Sequence, residues 1–147
     1  MSSLNQDQMA RRDRMGLLAR AEPSLLEKLF PEIPAHELLR APEAGAVMVR
    51  GRVGASGGPF NLGEMTVTRC SLRLEGGAVG HAYVQGRDKS HALRAAALDA
   101  LGEAGSEQVA PILNALRAEE AARRTERAEK AAATKVEFFT MVRGEDQ

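Results

Sequence analysis

The sequence predicts an α+β fold: a small antiparallel sheet of three to four strands covered by helices, with a long C-terminal helical arm and an extended apolar tail. Three observations lead there. The apolar residues change from helical to alternating spacing near residue 45 and change back after Gln85. Glycine-rich stretches, Gly54–Pro59 and Gly76-Gly77, separate the alternating segments in the manner of hairpin turns. Finally, Arg117 to Lys135 carries no large apolar residue, yet is dense in alanine, glutamate and arginine, which favour helix.

Taken in order, the first helix is expected over about Gln6 to Ala21, with Met15, Leu17, Leu18 and Ala21 on its apolar side. Pro23 interrupts it. Ser24 to Phe30 reads as a short second helix capped by Ser24, closed by Pro31 and Pro34, with His36 to Ala41 as a connecting segment. The first strand is expected over Gly45 to Val53 and the second over Met65 to Leu74. Met65 and Val67 lie on the opposite parity from Leu72, which predicts a bulge near Thr68–Arg69. Gly76-Gly77 is a two-residue hairpin signal, and Val79 to Gln85 returns as the third strand of an antiparallel meander.

Asp88 or Ser90 then caps a helix running to about Glu103, with Leu93, Ala97, Ala100 and Leu101 on one face. A further helical stretch begins at Ser106, where Pro111 is tolerated only near the first turn. Along the arm, Glu119–Arg123, Glu120–Arg124 and Glu126–Lys130 are favourable i,i+4 pairs. The chain thus divides into an α+β core, residues 1–105, and a helical arm with a partner-docking tail, residues 106–147. That tail, Val136-Glu137-Phe138-Phe139-Thr140-Met141-Val142, holds half of the phenylalanines. Apolar residues beyond a solvated helix return to a core or dock on another protein, and a thin home core favours docking.

The core is expected to be thin because the chain has four phenylalanines, one tyrosine and no tryptophan among 147 residues, so alanine, leucine and valine fill the interior. With 20 basic and 20 acidic residues the formal charge is zero, which removes the global attraction of a nucleic-acid coat or an anionic-membrane binder. One cysteine, Cys70, excludes an intrachain disulfide and any multi-cysteine metal site. Residues 1–14 lack the apolar region of a secretory signal, and no apolar run has the length of a membrane span, so a cytoplasmic location is expected.

Catalytic constellations are missing. His36, His81 and His91 have no zinc-site spacing, no Walker loop or dinucleotide fingerprint occurs, and Cys70 falls on the apolar face of a strand as a buried small hydrophobe. What remains is the strand-to-helix junction Gln85-Gly86-Arg87-Asp88-Lys89-Ser90-His91, followed by Arg94. A helix N-terminus favours an anion, and cations placed there gain from an external anion or an acidic partner surface. Gln85, Arg87, Lys89, Ser90 and His91 are therefore candidate contacts to an anion or a neighbouring subunit. The bland alternative is an exposed first turn capped by Asp88. The same helix–meander–helix order also suits an independent anion- or RNA-binding module of the double-stranded-RNA-binding type, against which the zero net charge argues.

Val67-Thr68-Arg69-Cys70-Ser71-Leu72-Arg73-Leu74, then Gly80 to Leu101 around Val84-Gln85-Gly86-Arg87-Asp88-Lys89-Ser90-His91-Ala92, resemble the G subunits of bacterial carbon–phosphorus lyase core complexes, the PhnG family. Val136 to Gly144 is similar to that family's C-terminal end, so the resemblance spans nearly the whole chain. It implies a cytoplasmic subunit of a phosphonate-degrading assembly with the H, I and J subunits. With H, I and L, such a subunit takes part in moving the ribose 5-triphosphate moiety of ATP onto a phosphonate such as methylphosphonate, releasing adenine. The complex is then a transferase, ribose 1-methylphosphonate 5-triphosphate synthase.

The resemblance assigns nucleosidase activity to the I subunit, and the iron–sulfur cluster and S-adenosylmethionine to the J subunit. It implies neither a catalytic residue nor a cofactor on this chain. By position Gln85, Arg87, Lys89, Ser90 and His91 match the family's central motif, and Phe138, Phe139, Met141, Val142 and Arg143 its tail. The first group is expected near a subunit interface or the triphosphate path, the second at the I subunit.

Overall fold

A computed structural model describes residues 5–52 and 57–145; the side chains of residue 61 and of residues 138–145 lie outside the described set. The elements run α1 (Gln6–Arg20), α2 (Pro23–Leu29), β1 (His36–Arg52), β2 (Pro59–Leu74), β3 (Val79–Gln85), α3 (Lys89–Glu103) and α4 (Val109–Glu145). The sheet is antiparallel in the order β1-β2-β3. The α+β class, the covering helices and the long C-terminal arm are as the sequence predicts.

α1 begins at a reciprocal capping box: Asn5 Oδ1 accepts from the Gln8 N–H at 2.8 Å, and Gln8 Oε1 accepts from the Asn5 N–H at 3.1 Å. α2 starts one residue earlier than expected. Pro23 takes its first position with φ already suited to helix, so Ser24 is inside the helix rather than its cap.

β1 is far longer than the expected strand, because His36 to Ala41 pairs with the end of β2 instead of connecting. The register slips between Leu38 and Arg40 and again between Arg40 and Glu43, which hides the alternation in the sequence. Pro42, which has no N–H to donate, sits in that slip on an edge strand, where it is tolerated. The irregularity expected near Thr68–Arg69 therefore belongs to the facing strand. β2 pairs with β3 without a break from Val67↔Gln85 to Arg73↔Val79. The β2–β3 turn is a three-residue loop, Glu75-Gly76-Gly77, with Leu74 N–H donating to Ala78 O and Gly77 at φ 96°. The Gly54–Pro59 turn falls partly outside the described residues.

One face of the sheet carries Thr68, Cys70, Leu72, Leu74, Ala82 and Val84, all buried, and α3 lies across it. The contact is close enough to exclude side chains. A Cβ on Gly80 would run into the carbonyl oxygen of Ala96 and lie 2.5 Å from Ala100 N. Ala92, Ala95, Ala96, Ala97 and Ala100 supply the helix side, so small residues make much of the core. Leu17, Leu18, Leu26 and Phe30 from α1 and α2 complete it, and Val109, Ile112, Leu113 and Leu116 close it from the first turns of α4.

Beyond Leu116 no described side chain of α4 is buried. Residues 117–145 continue as helix for about 43 Å at 1.5 Å per residue. The tail from Val136 thus extends the arm as helix rather than leaving it as a separate strand-like segment. No described helix is long and apolar enough to cross a membrane.

Candidate functional site

Three surface regions carry the features that a function could use. The first is the opening of α3. Gly86, at φ 92°, turns the chain from β3 into the helix; its N–H donates to Thr66 O at 2.9 Å, and its carbonyl accepts from Thr68 Oγ1 at 2.8 Å. Asp88 then caps the helix, its Oδ1 accepting from the His91 N–H at 2.9 Å. Gln85, Arg87, Lys89 and Ser90 are all exposed around that cap.

His91 stands apart from the other four residues of the expected contact set. It is 6% exposed, and its Nε2–H donates to Leu18 O at 2.8 Å, which ties α3 to α1. Helical geometry turns position 91 inward, a direction that residue type alone does not reveal. Arg94 also leaves the cluster: its Nε donates to Phe30 O at 3.2 Å, holding the end of α2. The carboxylate of Asp88 occupies the positive end of α3, so Arg87 and Lys89 are cations beside an anion the chain itself supplies.

The second region is a groove of about 770 Å³ between α1 and α4, where α4 leaves the body. Arg12, Asp13, Gly16 and Arg20 line one wall and Arg117, Glu120, Ala121 and Arg124 the other. Glu120 Oε1 is shared by Arg20 Nε at 3.3 Å and Arg124 Nη2 at 3.1 Å. Sequence reasoning missed this site. Its arginines are a hundred residues apart along the chain, and only the i,i+4 spacing of Arg12, Gly16 and Arg20 hints at one wall.

The third region is apolar surface. Val47 and Met48 of β1 and Phe60 and Leu62 of β2 are exposed on the half of the ribbon that α3 does not cover, and β1 has a strand neighbour on one side only. Tyr83 stands 55% exposed on the sheet face turned away from the helices. There His81 Nδ1 lies 2.7 Å from Ser71 Oγ, and the partly exposed cross-strand pairs Arg69–Glu43 and Arg73–Glu37 lie at 3.3 and 3.5 Å. The arm carries the three expected pairs, Arg123–Glu119 at 2.8 Å, Arg124–Glu120 at 3.1 Å and Lys130–Glu126 at 3.1 Å. Phe138, Phe139, Met141, Val142 and Arg143 lie on the last helical turns, with side chains outside the described residues.

None of these regions assembles a nucleophile with a base and an orienting group. His36 Nδ1 is engaged by Pro34 O at 2.8 Å, and the other two histidines are engaged as described. Among the described residues no three His, Cys, Asp or Glu side chains gather as metal ligands. Burial pushes the Cys70 thiol up to about 11, so it is protonated near neutral pH.

Comparison with known proteins gives this arrangement a family. The chain is 47% identical over 143 residues to the alpha-D-ribose 1-methylphosphonate 5-triphosphate synthase subunit PhnG of Rhizobium meliloti (strain 1021), covering 92% of this chain and 90% of the relative. Residues 9–144 match the family model described as phosphonate metabolism protein PhnG. On a match from α1 to the last turn of α4, the chain belongs to the PhnG family of phosphonate metabolism proteins.

Proposed function

We propose that this chain is a non-autonomous subunit of the carbon–phosphorus lyase core complex. In that role it acts with the H, I and L subunits when the ribose 5-triphosphate moiety of ATP is transferred to a phosphonate with release of adenine. It assembles and shapes a site whose reacting groups lie on its partners, the J subunit holding the iron–sulfur chemistry. The observation that carries this reading is α4, which runs for about 43 Å past Leu116, its last buried residue among those described. A polar helix gains nothing by reaching that far into water with an apolar end, whereas a partner's groove would bury that end.

The helix positions support a docking seam. At 100° per residue, positions 121, 128, 132, 139 and 142 fall within a sector of about 80°. Ala128 and Ala132 lead along that sector to Phe139 and Val142, with the long side chains of Arg124 and Lys135 beside them, so a partner would approach over the alanines and grip the end. Phe139 and Val142 fall in this sector, and with Phe138, Met141 and Arg143, which the resemblance adds, we assign the tail to the I subunit. Removing residues 136–147 tests it: the truncated chain should fold but fail to co-purify with the I subunit. Co-purification at full yield would sink the docking role.

A second reading has the chain contact ATP or its triphosphate product directly. Arg87 and Lys89, exposed on either side of the Asp88 cap at the start of α3, favour it. Changing both to alanine separates the two. Weakened ATP saturation in an intact complex supports contact, failed assembly supports a scaffold role, and no change in either would remove this motif from both.

A further inference from the structure

We infer that the groove between α1 and α4 binds a linear oligophosphate, such as the triphosphate of a nucleotide, along its facing arginines. The inference rests on the proposed place of the chain in ATP chemistry and names a contact surface for it other than the start of α3.

Four guanidinium groups, from Arg12, Arg20, Arg117 and Arg124, face two carboxylates, Asp13 and Glu120, across the groove. Glu120 is already taken by Arg20 and Arg124. Arg12 has no carboxylate partner among the described residues, and Arg117 has only the neutral Asn114 Oδ1, at 3.2 Å. Two cations are therefore left over on opposite walls, in a concavity rather than on a convex face. Guanidinium groups bind phosphate oxygens in pairs of parallel hydrogen bonds.

Length selects the ligand class. Arg12 to Arg20 spans about 12 Å of α1, and Arg117 to Arg124 about 10 Å of α4. A lone phosphate covers only a fraction of either span, whereas a chain of linked phosphates runs along more of it.

Gly16 adds an independent observation. It lies inside α1, where glycine costs about 1 kcal/mol relative to alanine. The backbone does not need it there, since its φ is not among the positive values of the chain. The first atom that a Cβ at this position would meet is Arg20 Nη1, at 2.8 Å, and all its neighbours within 4 Å belong to that guanidinium group. Arg20 is 59% exposed and could swing into solvent, so packing does not require the glycine either. What the glycine secures is an Arg20 guanidinium laid along α1 toward Glu120 and the opposite wall.

The test is equilibrium dialysis of dilute full-length chain against labelled tripolyphosphate, with ATP, orthophosphate and adenosine as competitors. Tripolyphosphate and ATP should compete comparably, orthophosphate at least ten-fold less well and adenosine not at all, with binding weakening as salt rises. Arg12→Gln/Arg117→Gln should lose at least ten-fold in affinity while unfolding at the parent's temperature. Gly16→Ala should unfold at a higher temperature and bind several-fold more weakly. Absence of tripolyphosphate binding, undiminished binding by the double arginine variant, or competition by adenosine would each overturn the inference. Assembly with the H and I subunits is read separately on the same variants. A chain that assembles but ignores tripolyphosphate loses only the groove; one that binds tripolyphosphate but ignores those partners loses only the subunit role.

Discussion

Arg14 and Asp99 form the ion pair that fastens α1 to α3: Arg14 Nη2 lies 2.8 Å from Asp99 Oδ1, on a carboxylate with no exposed surface. Asp99 also accepts from Arg11 Nη2 at 2.8 Å and from the His81 N–H of β3 at 3.0 Å. Its hydrogen bond raises the Arg11 pKa against the opposing effect of burial. One side chain thus joins two helices to the sheet, and every lone pair that faces inward has a donor.

Asp99→Asn keeps the shape and removes the charge, leaving Glu103 as the remaining carboxylate of two partly exposed guanidinium groups. Losing a charged hydrogen-bonding partner there costs about 2–3 kcal/mol. Chemical denaturation should show a loss of that order, and a loss below about 1 kcal/mol would mean that the network is not what holds α1 in place.

Three glycines make contrasting predictions. Gly80→Ala forces a methyl group into the backbone of α3 and should cost more stability than any exposed substitution. Gly102→Ala would place a Cβ 2.6 Å from Arg14 Cζ, whose side chain is only 13% exposed, and should also destabilise. Gly16→Ala should stabilise, because exposed Arg20 can move away. Melting temperatures that put Gly16→Ala below the parent would contradict the reading of that position.

Cys70 predicts a pH dependence. Burial raises its folded-state pKa from the ordinary 9.0 to about 11, so its favourable contribution is whole below pH 9.0 and is lost as pH climbs toward about 11. The parent should therefore lose more stability across that alkaline window than Cys70→Ala does. Denaturation midpoints that fall in parallel for both proteins would refute it. Thiol reagents at neutral pH should label Cys70 only as fast as the chain opens.

Truncation after Lys135 should leave the melting temperature of the isolated chain nearly unchanged, because Leu116 is the last buried side chain of α4 among the described residues. A fall of several degrees would mean that the tail returns to its own core.

Much of the fold was legible because its signals are local. Gln6 to Arg20 is bounded by a capping box and a following proline, β3 alternates cleanly, and Asp88 caps α3 three residues before the amide it binds. The first strand was only half legible, since Pro42 and two register slips break its period where it pairs with Arg69 to Leu74. The candidate site was less legible still. His91 has the chemistry of a ligand contact but the position of a core residue, and nothing between residues 85 and 94 states which way it turns. Asp99, Arg11 and Arg14 read as ordinary surface charges on two separate helices until the fold brings them together, and the arginines of the α1–α4 groove do the same.

Co-expression of this chain with the H and I subunits of the same organism, followed by size-exclusion chromatography, tests the central claim most directly. The account predicts co-elution in a defined complex larger than any of the three chains, competent for phosphonate-dependent adenine release once the L subunit is added. A well-behaved monomer that elutes apart from both partners would contradict it.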